Sequence, residues 1–231
     1  MNQTETSKRS DSSPAKRLIF LVDDHPLVCE GLTILINRQD DMMVCGEASR
    51  APEALQAIVA LRPDAALVDL SLASGSGLEL IKDLRACCPE TALVVLSMHD
   101  ESTYAERALR AGARGYVMKR DVTKNVIVAL RHVLEGKMFV SDDFARAMTE
   151  KIVEFKTPQA VSPIASLSDR ELEVFEMLGS GMETREISES LNMALRTVQT
   201  HCARMKTKLG VNSLIGLTRE AARWVESGRP V

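Results

Sequence analysis

Three aspartates stand where apolar strands run out. Asp23 and Asp24 close the run Arg17 to Val22, and Asp69 closes Ala65-Ala66-Leu67-Val68 ahead of a Gly/Ser loop from Ser71 to Gly77. Carboxylates on strand ends point at the carboxyl edge of a parallel sheet, where open α/β folds bind their ligands. Three acids meeting there repel: at ~4 Å and an effective dielectric near ~20, each like pair costs roughly 4 kcal/mol. Such a cluster asks for a hard divalent cation, most naturally Mg²⁺, which takes a few carboxylates and keeps positions open for phosphate oxygens. An aspartate beside that ion can accept a phosphoryl group as an acyl phosphate. A cation opposite the metal and a hydroxyl on another strand end would complete the site. Lys119, ending the fifth predicted strand, and Ser97, ending the fourth, fit those roles. A lone strand-end Asp is more often a cap, and a lone Lys a solvated charge; four such residues on one sheet edge are harder to obtain from turns alone.

The elements that position these residues follow from hydrophobic periodicity. Short Val/Leu/Ile-rich runs at 17–22, 42–46, 65–69, 92–97 and 115–118 read as strands buried on both faces. Amphipathic helices are predicted near 26–38, 51–61, 77–87, 102–111 and 122–135. Five βα repeats make an open, doubly wound α/β fold with a five-stranded parallel sheet. Right-handed crossovers narrow the strand order without determining it.

The chain has 231 residues, enough for two ordinary domains, and a formal net charge of −3. That charge argues against a uniformly basic nucleic-acid coat, though not against a local basic face. Residues 1–15 are polar, lack an apolar core for a signal peptide, and read as a disordered tail. Residues 16–140 form the first domain. Residues 141–166 read as a linker whose first half could extend as a charged helix, while the prolines between Thr157 and Ser166 cannot. No apolar run approaches the ~20 residues that span a bilayer, so no membrane association and a cytoplasmic location are expected. Cys29, Cys45, Cys87, Cys88 and Cys202 show no metal-ligand spacing and read as buried, reduced thiols.

Residues 167–231 read as a small all-α domain. Ser168-Asp-Arg-Glu171 is a capping box ahead of the stripe Leu172, Phe175 and Leu178. A short helix from Thr184 to Leu191, a tight Asn192-Met193-Ala194 turn and a longer helix from Leu195 to Leu209 make a helix-turn-helix; a last helix covers about 213–225. In the longer helix Val198, Cys202, Met205 and Leu209 share one apolar face. Its other faces carry Arg196, Thr197, Gln199, Thr200, His201, Arg204, Lys206 and Lys208, with no acid. From Ser168 to Val231 nine Lys/Arg balance nine Asp/Glu, so the domain is neutral but polarised. An acid-free second helix suits insertion into the DNA major groove.

Several segments carry a family resemblance. Val22-Asp-Asp-His-Pro26, Leu67-Val-Asp-Leu-Ser-Leu72 with Ser76-Gly-Leu-Glu79, Val95-Leu-Ser-Met-His99 and Ala111-Gly-Ala-Arg-Gly-Tyr-Val-Met-Lys119 resemble a response-regulator receiver domain. Leu167 to Val174, Thr184-Arg-Glu-Ile187, Arg196-Thr-Val-Gln-Thr-His201 and Lys208 to Ser213 resemble the LuxR-type helix-turn-helix, whose exposed reading positions on the second helix are here Gln199, Thr200 and Ala203. The resemblance makes these candidates for base edges, and Thr184, Arg185, Arg196, Thr197 and Arg204 candidates for phosphates. The whole chain is thus similar to the NarL/FixJ family of two-component response regulators. The resemblance implies a flavodoxin-like receiver whose Asp69 is phosphorylated by a sensor histidine kinase. It implies that Asp24 holds Mg²⁺ directly and Asp23 partly through water, with Asp69 and the Ser71 carbonyl as further metal contacts. It also implies that Ser97 and Tyr116 switch rotamer on phosphorylation. Homodimers would then bind paired half-sites in double-stranded DNA, with RNA polymerase a possible further partner. Ala73 stands where the family usually has Pro, and Arg120 where related receivers often have Pro after the lysine. Ser71 and His99, at the mouth of the site, are expected to set how long the phosphoryl group lasts.

This reading makes the chain a transcription factor and not an enzyme. A haloacid-dehalogenase-type phosphatase needs Asp-x-Asp where this chain has Asp69-Leu-Ser71, and a dinucleotide enzyme wants a Gly-rich turn where Asp23-Asp-His-Pro stands. The alternative is a receiver acting through protein partners with a degenerate DNA-binding domain.

Overall fold

The computed structural model describes residues 15–72, 76–98, 101–154, 163–191 and 193–227. The expected tail, Ala73, His99, residues 157–162 and Asn192 lie outside these, apart from Ala15 at the tail's end.

The five predicted strands form: β1 (Arg17–Val22), β2 (Met42–Ala48), β3 (Ala65–Asp69), β4 (Ala92–Ser97) and β5 (Gly115–Met118). All pairs are parallel and the order is β2-β1-β3-β4-β5. From β1 the chain moves outward to β2, then crosses back to β3 on β1's other side. The order therefore reverses between β1 and β3, and ligands of such sheets sit in the crevice beyond that point.

Alternation along the strands divides the core. Ile19 and Leu21 face one side with Leu67, Val94 and Leu96, covered by α1 (Pro26–Asn37) and α5 (Val122–Leu134). Phe20 and Val22 face the other with Val68 and Val95, covered by α2 (Ala51–Leu61), α3 (Gly77–Cys87) and α4 (Glu101–Ala111). Period-2 side-chain direction is what sends neighbours to opposite layers. Proline in the first turn of α1 and α2 suits a position whose N–H has no helical partner.

The expected charged helix forms as α6 (Asp142–Glu154), and a 3₁₀ turn covers Pro163–Ser166. The second domain holds α7 (Asp169–Gly179), α8 (Thr184–Ser190), α9 (Leu195–Leu209) and α10 (Leu214–Glu226). The capping box is present: Glu171 N–H donates to Ser168 Oγ at 3.3 Å and Ser168 N–H donates to Glu171 Oε2 at 2.7 Å. Gly179 lets α7 and α10 approach, since a Cβ there would stand 2.6 Å from the Ala221 carbonyl oxygen. Phe175 and Trp224 pack their rings at 5.7 Å across this contact.

One apolar cluster runs from the α2–α4 side of the sheet into the second domain, joining Tyr104, Phe144, Leu167, Phe175 and Trp224. Polar contacts reinforce it. The Arg107 guanidinium donates to the Leu167 carbonyl at 2.8 Å and to Asp169 at 3.0 Å, and Lys82 reaches Asp169 at 3.0 Å. The cysteine expectation needs one correction: Cys29, Cys88 and Cys202 are buried, Cys45 is half-buried, and Cys87 is exposed. Leu80, Ile81 and Leu84 form the inward stripe of α3, and Cys88 just past its end is also buried, which leaves Cys87 facing solvent.

Candidate functional site

Strand register assembles the acidic site. Val22 lies opposite Val68, so the next residues along, Asp23 and Asp69, become neighbours. Asp69 pairs with Leu96 and Ser97 with Met118, so Ser97 and Lys119 extend the row across β4 and β5. Asp69 is 2% exposed and Ser97 is fully buried. Lys119 Nζ stands 2.7 Å from Asp69 Oδ2 and 2.7 Å from Asp23 Oδ2. The Ser71 N–H donates to Asp69 Oδ1 at 3.2 Å. The start of α3 presses on the same point. A Cβ on Gly77 would meet the Asp69 carbonyl oxygen at 2.1 Å, so only glycine lets the helix close over the strand end.

Burial pushes the Asp69 carboxyl above its usual range, and Asp23 adds to that. Lys119 and the Ser71 N–H pull the other way without cancelling it. For Lys119, burial alone would lower the ammonium pKa; the carboxylates of Asp69 and Asp23 overcome it and raise it. The site thus holds more negative charge than its single lysine neutralises.

Two oxygens show where a cation fits. Asp23 Oδ2 and Asp24 Oδ1 are buried and accept no well-aligned hydrogen bond. Lys119 Nζ at 2.7 Å from the first and His25 Nδ1 at 2.9 Å from the second touch them by proximity, without hydrogen-bond alignment. Ligand atoms of Asp23, Asp24, His25 and Asp69 lie within 4.8 Å of one another. Hard carboxylate oxygens so placed match the donor set of Mg²⁺. His25 is the member that strand-end reasoning missed. Its ring lies 3.0 Å from Asp23 Oδ1, and its backbone N–H donates to the same oxygen at 2.9 Å. The signal was its place directly after the acid pair. Tyr116 is buried on β5.

On α9 three residues of the predicted apolar face, Val198, Cys202 and Met205, are buried, and the fourth, Leu209, is half-buried. Arg196, Thr197, Gln199, Thr200, Ala203 and Arg204 are all exposed, as is Arg185 on α8, while Thr184 is half-buried. Lys208 is otherwise engaged, pairing with Glu171 at 2.6 Å and tying the end of α9 to α7.

Residues 19–131 match the family described as "Response regulator receiver domain", and residues 165–221 match "Bacterial regulatory proteins, luxR family". The oxygen regulatory protein NreC of Staphylococcus aureus (strain JH9) is 33% identical over 199 residues, covering 84% of this chain and 92% of NreC. The chain is a two-component response regulator of the NarL/FixJ family. As a response regulator it couples a receiver to a LuxR-type domain and is a DNA-binding transcription regulator. Solved structures agree. A LuxR-family response regulator from Aurantimonas sp. SI85-9A1 is 34% identical with a TM-score of 0.56, over 61% of this chain and 100% of that one. The RcsB response regulator of Salmonella typhimurium is 25% identical with a TM-score of 0.53, over 90% and 98%. Among the described residues no helix is long and apolar enough to cross a membrane.

Proposed function

We propose that this response regulator is switched by phosphorylation of Asp69 from a histidine kinase. The observation that carries the reading is the Asp69 carboxylate held between Lys119 and an acid pair with two buried, poorly satisfied oxygens. An Asp69 carboxylate oxygen attacks the phosphorus of a phosphohistidine. The new O–P bond forms as the N–P bond breaks, and the freed imidazole takes up a proton. Asp24 directly, Asp23 partly through water, Asp69 and the Ser71 carbonyl would hold Mg²⁺. That ion, when bound, neutralises charge on the transferring oxygens. Lys119 pairs with the phosphoryl group from the other side and Ser97 donates to one of its oxygens. Ser97 and Tyr116 then change rotamer and reshape the neighbouring surface. Ser71 and His99 govern water attack and so the lifetime of the acyl phosphate.

The output is binding of double-stranded DNA by a phosphorylation-promoted homodimer on paired half-sites, in the cytoplasm, with RNA polymerase as a further contact. Gln199, Thr200 and Ala203 read base edges, while Thr184, Arg185, Arg196, Thr197 and Arg204 hold phosphates. The chain acts as a regulator and not as an enzyme. The exposed face of α9 carries Arg196 and Arg204 and no acid, which supports DNA over a protein partner. Anisotropy titrations of wild type and Asp69→Asn on promoter DNA, before and after Mg²⁺ and acetyl phosphate, test this. Wild type should tighten and the variant should not; equal tightening of both would overturn the switch.

A further inference from the structure

Two thiols stand side by side at the end of α3. Cys87 is its last residue and faces solvent, and Cys88 just beyond it is buried. Their sulfurs lie 3.8 Å apart. The backbone around them is tied down. The Cys88 N–H donates to the Leu84 carbonyl at 2.7 Å, and the Cys88 carbonyl accepts from the Thr91 N–H at 3.1 Å. Arg85 donates to the Pro89 carbonyl at 2.9 Å. Three chemistries suit a thiol pair, and the geometry separates them. A disulfide asks for Cα atoms ~4.4–6.8 Å apart, whereas neighbours across a trans peptide stand ~3.8 Å apart, so a bond here would form only under strain. A closed structural metal site asks for four ligands. Among the described residues the only group of three or more acids, histidines or cysteines placed around a common ion is Asp23, Asp24, His25 and Asp69, so no third ligand joins the two thiols. What remains is a centre that takes two sulfurs and brings its other substituent with it. Two thiolates bonded at ~2.3 Å with a near-tetrahedral angle hold their sulfurs ~3.8 Å apart, which is the spacing already present.

We propose that Cys87 and Cys88 form a chelating dithiol site for a trivalent, monosubstituted arsenical, a soft centre with two exchangeable hydroxyl positions. Soft thiolates select soft centres. Each sulfur forms a bond to arsenic, the two arsenic–hydroxyl bonds break, and the thiol protons leave with the hydroxyls as two waters. Arsenic stays trivalent and both sulfurs keep their oxidation state, so no oxidant or reductant enters. The exposed Cys87 thiol engages first. Burial holds the Cys88 thiol above its usual pKa range, and the neighbouring Cys87 adds to that. Cys88 therefore enters second, by proximity. Closing the second bond within one molecule strengthens retention over a single bond by ~10²–10⁴. Cys29 on α1, Cys45 on β2 and Cys202 on α9 lie on separate elements, and burial raises the pKa of each. Gly77, which closes over Asp69, is at the other end of the 11-residue α3, ~15 Å away along the axis. The dithiol site is thus separate from the phosphoacceptor edge.

The test treats the full, reduced chain with phenylarsine oxide, which hydrates to the dihydroxide, and then with rising glutathione, reading intact mass. Wild type should keep one phenylarsenic group per chain at glutathione levels that strip a single-thiol adduct, and should lose it to dimercaptopropanol. Cys87→Ser and Cys88→Ser should each release it at ~100-fold lower glutathione or less. Cys87 is exposed, so its serine variant keeps the fold and is decisive by itself if the buried Cys88→Ser proves unstable. No retained adduct in wild type, or equal retention in Cys87→Ser, would overturn the site. Loss of two hydrogens across Cys87 and Cys88 in place of the adduct would show disulfide chemistry there, and would overturn it as well.

Discussion

Lys119→Met is the sharpest structural test of the acidic site. The lysine side chain is 8% exposed, and its Nζ lies 2.7 Å from an oxygen of Asp69 and 2.7 Å from one of Asp23. At that separation and an effective dielectric near 20, each contact is worth roughly 6 kcal/mol of gross attraction. Desolvation of the ammonium and the carboxylates offsets most of it, and removing one partner of a buried pair costs about 3–5 kcal/mol. Methionine fills much the same volume, so the loss reports charge and not a cavity. Urea denaturation followed by circular dichroism, at neutral pH in chelator, should show that loss in the receiver transition. Saturating Mg²⁺ supplies another counter-charge to the same carboxylates, so the loss should shrink by about half or more. A loss below about 1 kcal/mol in chelator would mean that the pairs contribute little, as exposed ones do. A loss of the same size with and without Mg²⁺ would refute the idea that lysine and metal neutralise one cluster.

Further outcomes follow from the same geometry. The raised Asp69 pKa means that the folded state binds its proton more tightly than the unfolded state does. Its favourable contribution is therefore complete below the unfolded value and lost as pH rises through the folded one. In chelator, the stability of Asp69→Asn relative to wild type should thus increase with pH across that window; a flat difference would contradict the burial argument. Gly77→Ala should destabilise by about 1–3 kcal/mol in urea melts, because a Cβ 2.1 Å from the Asp69 carbonyl oxygen forces backbone movement; it should also slow acetyl phosphate labelling. Gln199→Ala should cost about 1–3 kcal/mol at the cognate site and relax one base pair. Arg204→Ala should instead weaken all duplexes alike and lower the salt slope by roughly one in anisotropy titrations.

The sequence made the sheet and its edge legible for a physical reason. Val22, Val68, Leu96 and Met118 belong to short apolar runs with no helical period, and each ends on a residue too polar to continue inward. Strand ends of a parallel sheet converge, so Asp23, Asp69, Ser97 and Lys119 could be grouped before strand order was known. The order itself, with its reversal between β1 and β3, depends on crossovers that carry no local signature. The helix caps at Ser168 and Gly210 were readable because capping is local chemistry. Contacts between distant surfaces were not. Nothing near Tyr104 marks it as the donor to Glu176, 72 residues away, and the exposure of Cys87 depends on which side of α3 meets α4. His25 was visible as a residue but not as a neighbour of both acids, since its ring position follows from the turn into α1.

The central claim is that Asp69 itself carries the phosphoryl group. The most direct measurement is borohydride reduction of full-length protein after treatment with Mg²⁺ and acetyl phosphate, followed by peptide mass spectrometry. An acyl phosphate at that carboxyl is reduced to homoserine, so the account predicts homoserine at position 69 and at no other acid. Homoserine at Asp23, Asp24 or elsewhere, or a label that survives alkali and yields none, would contradict it.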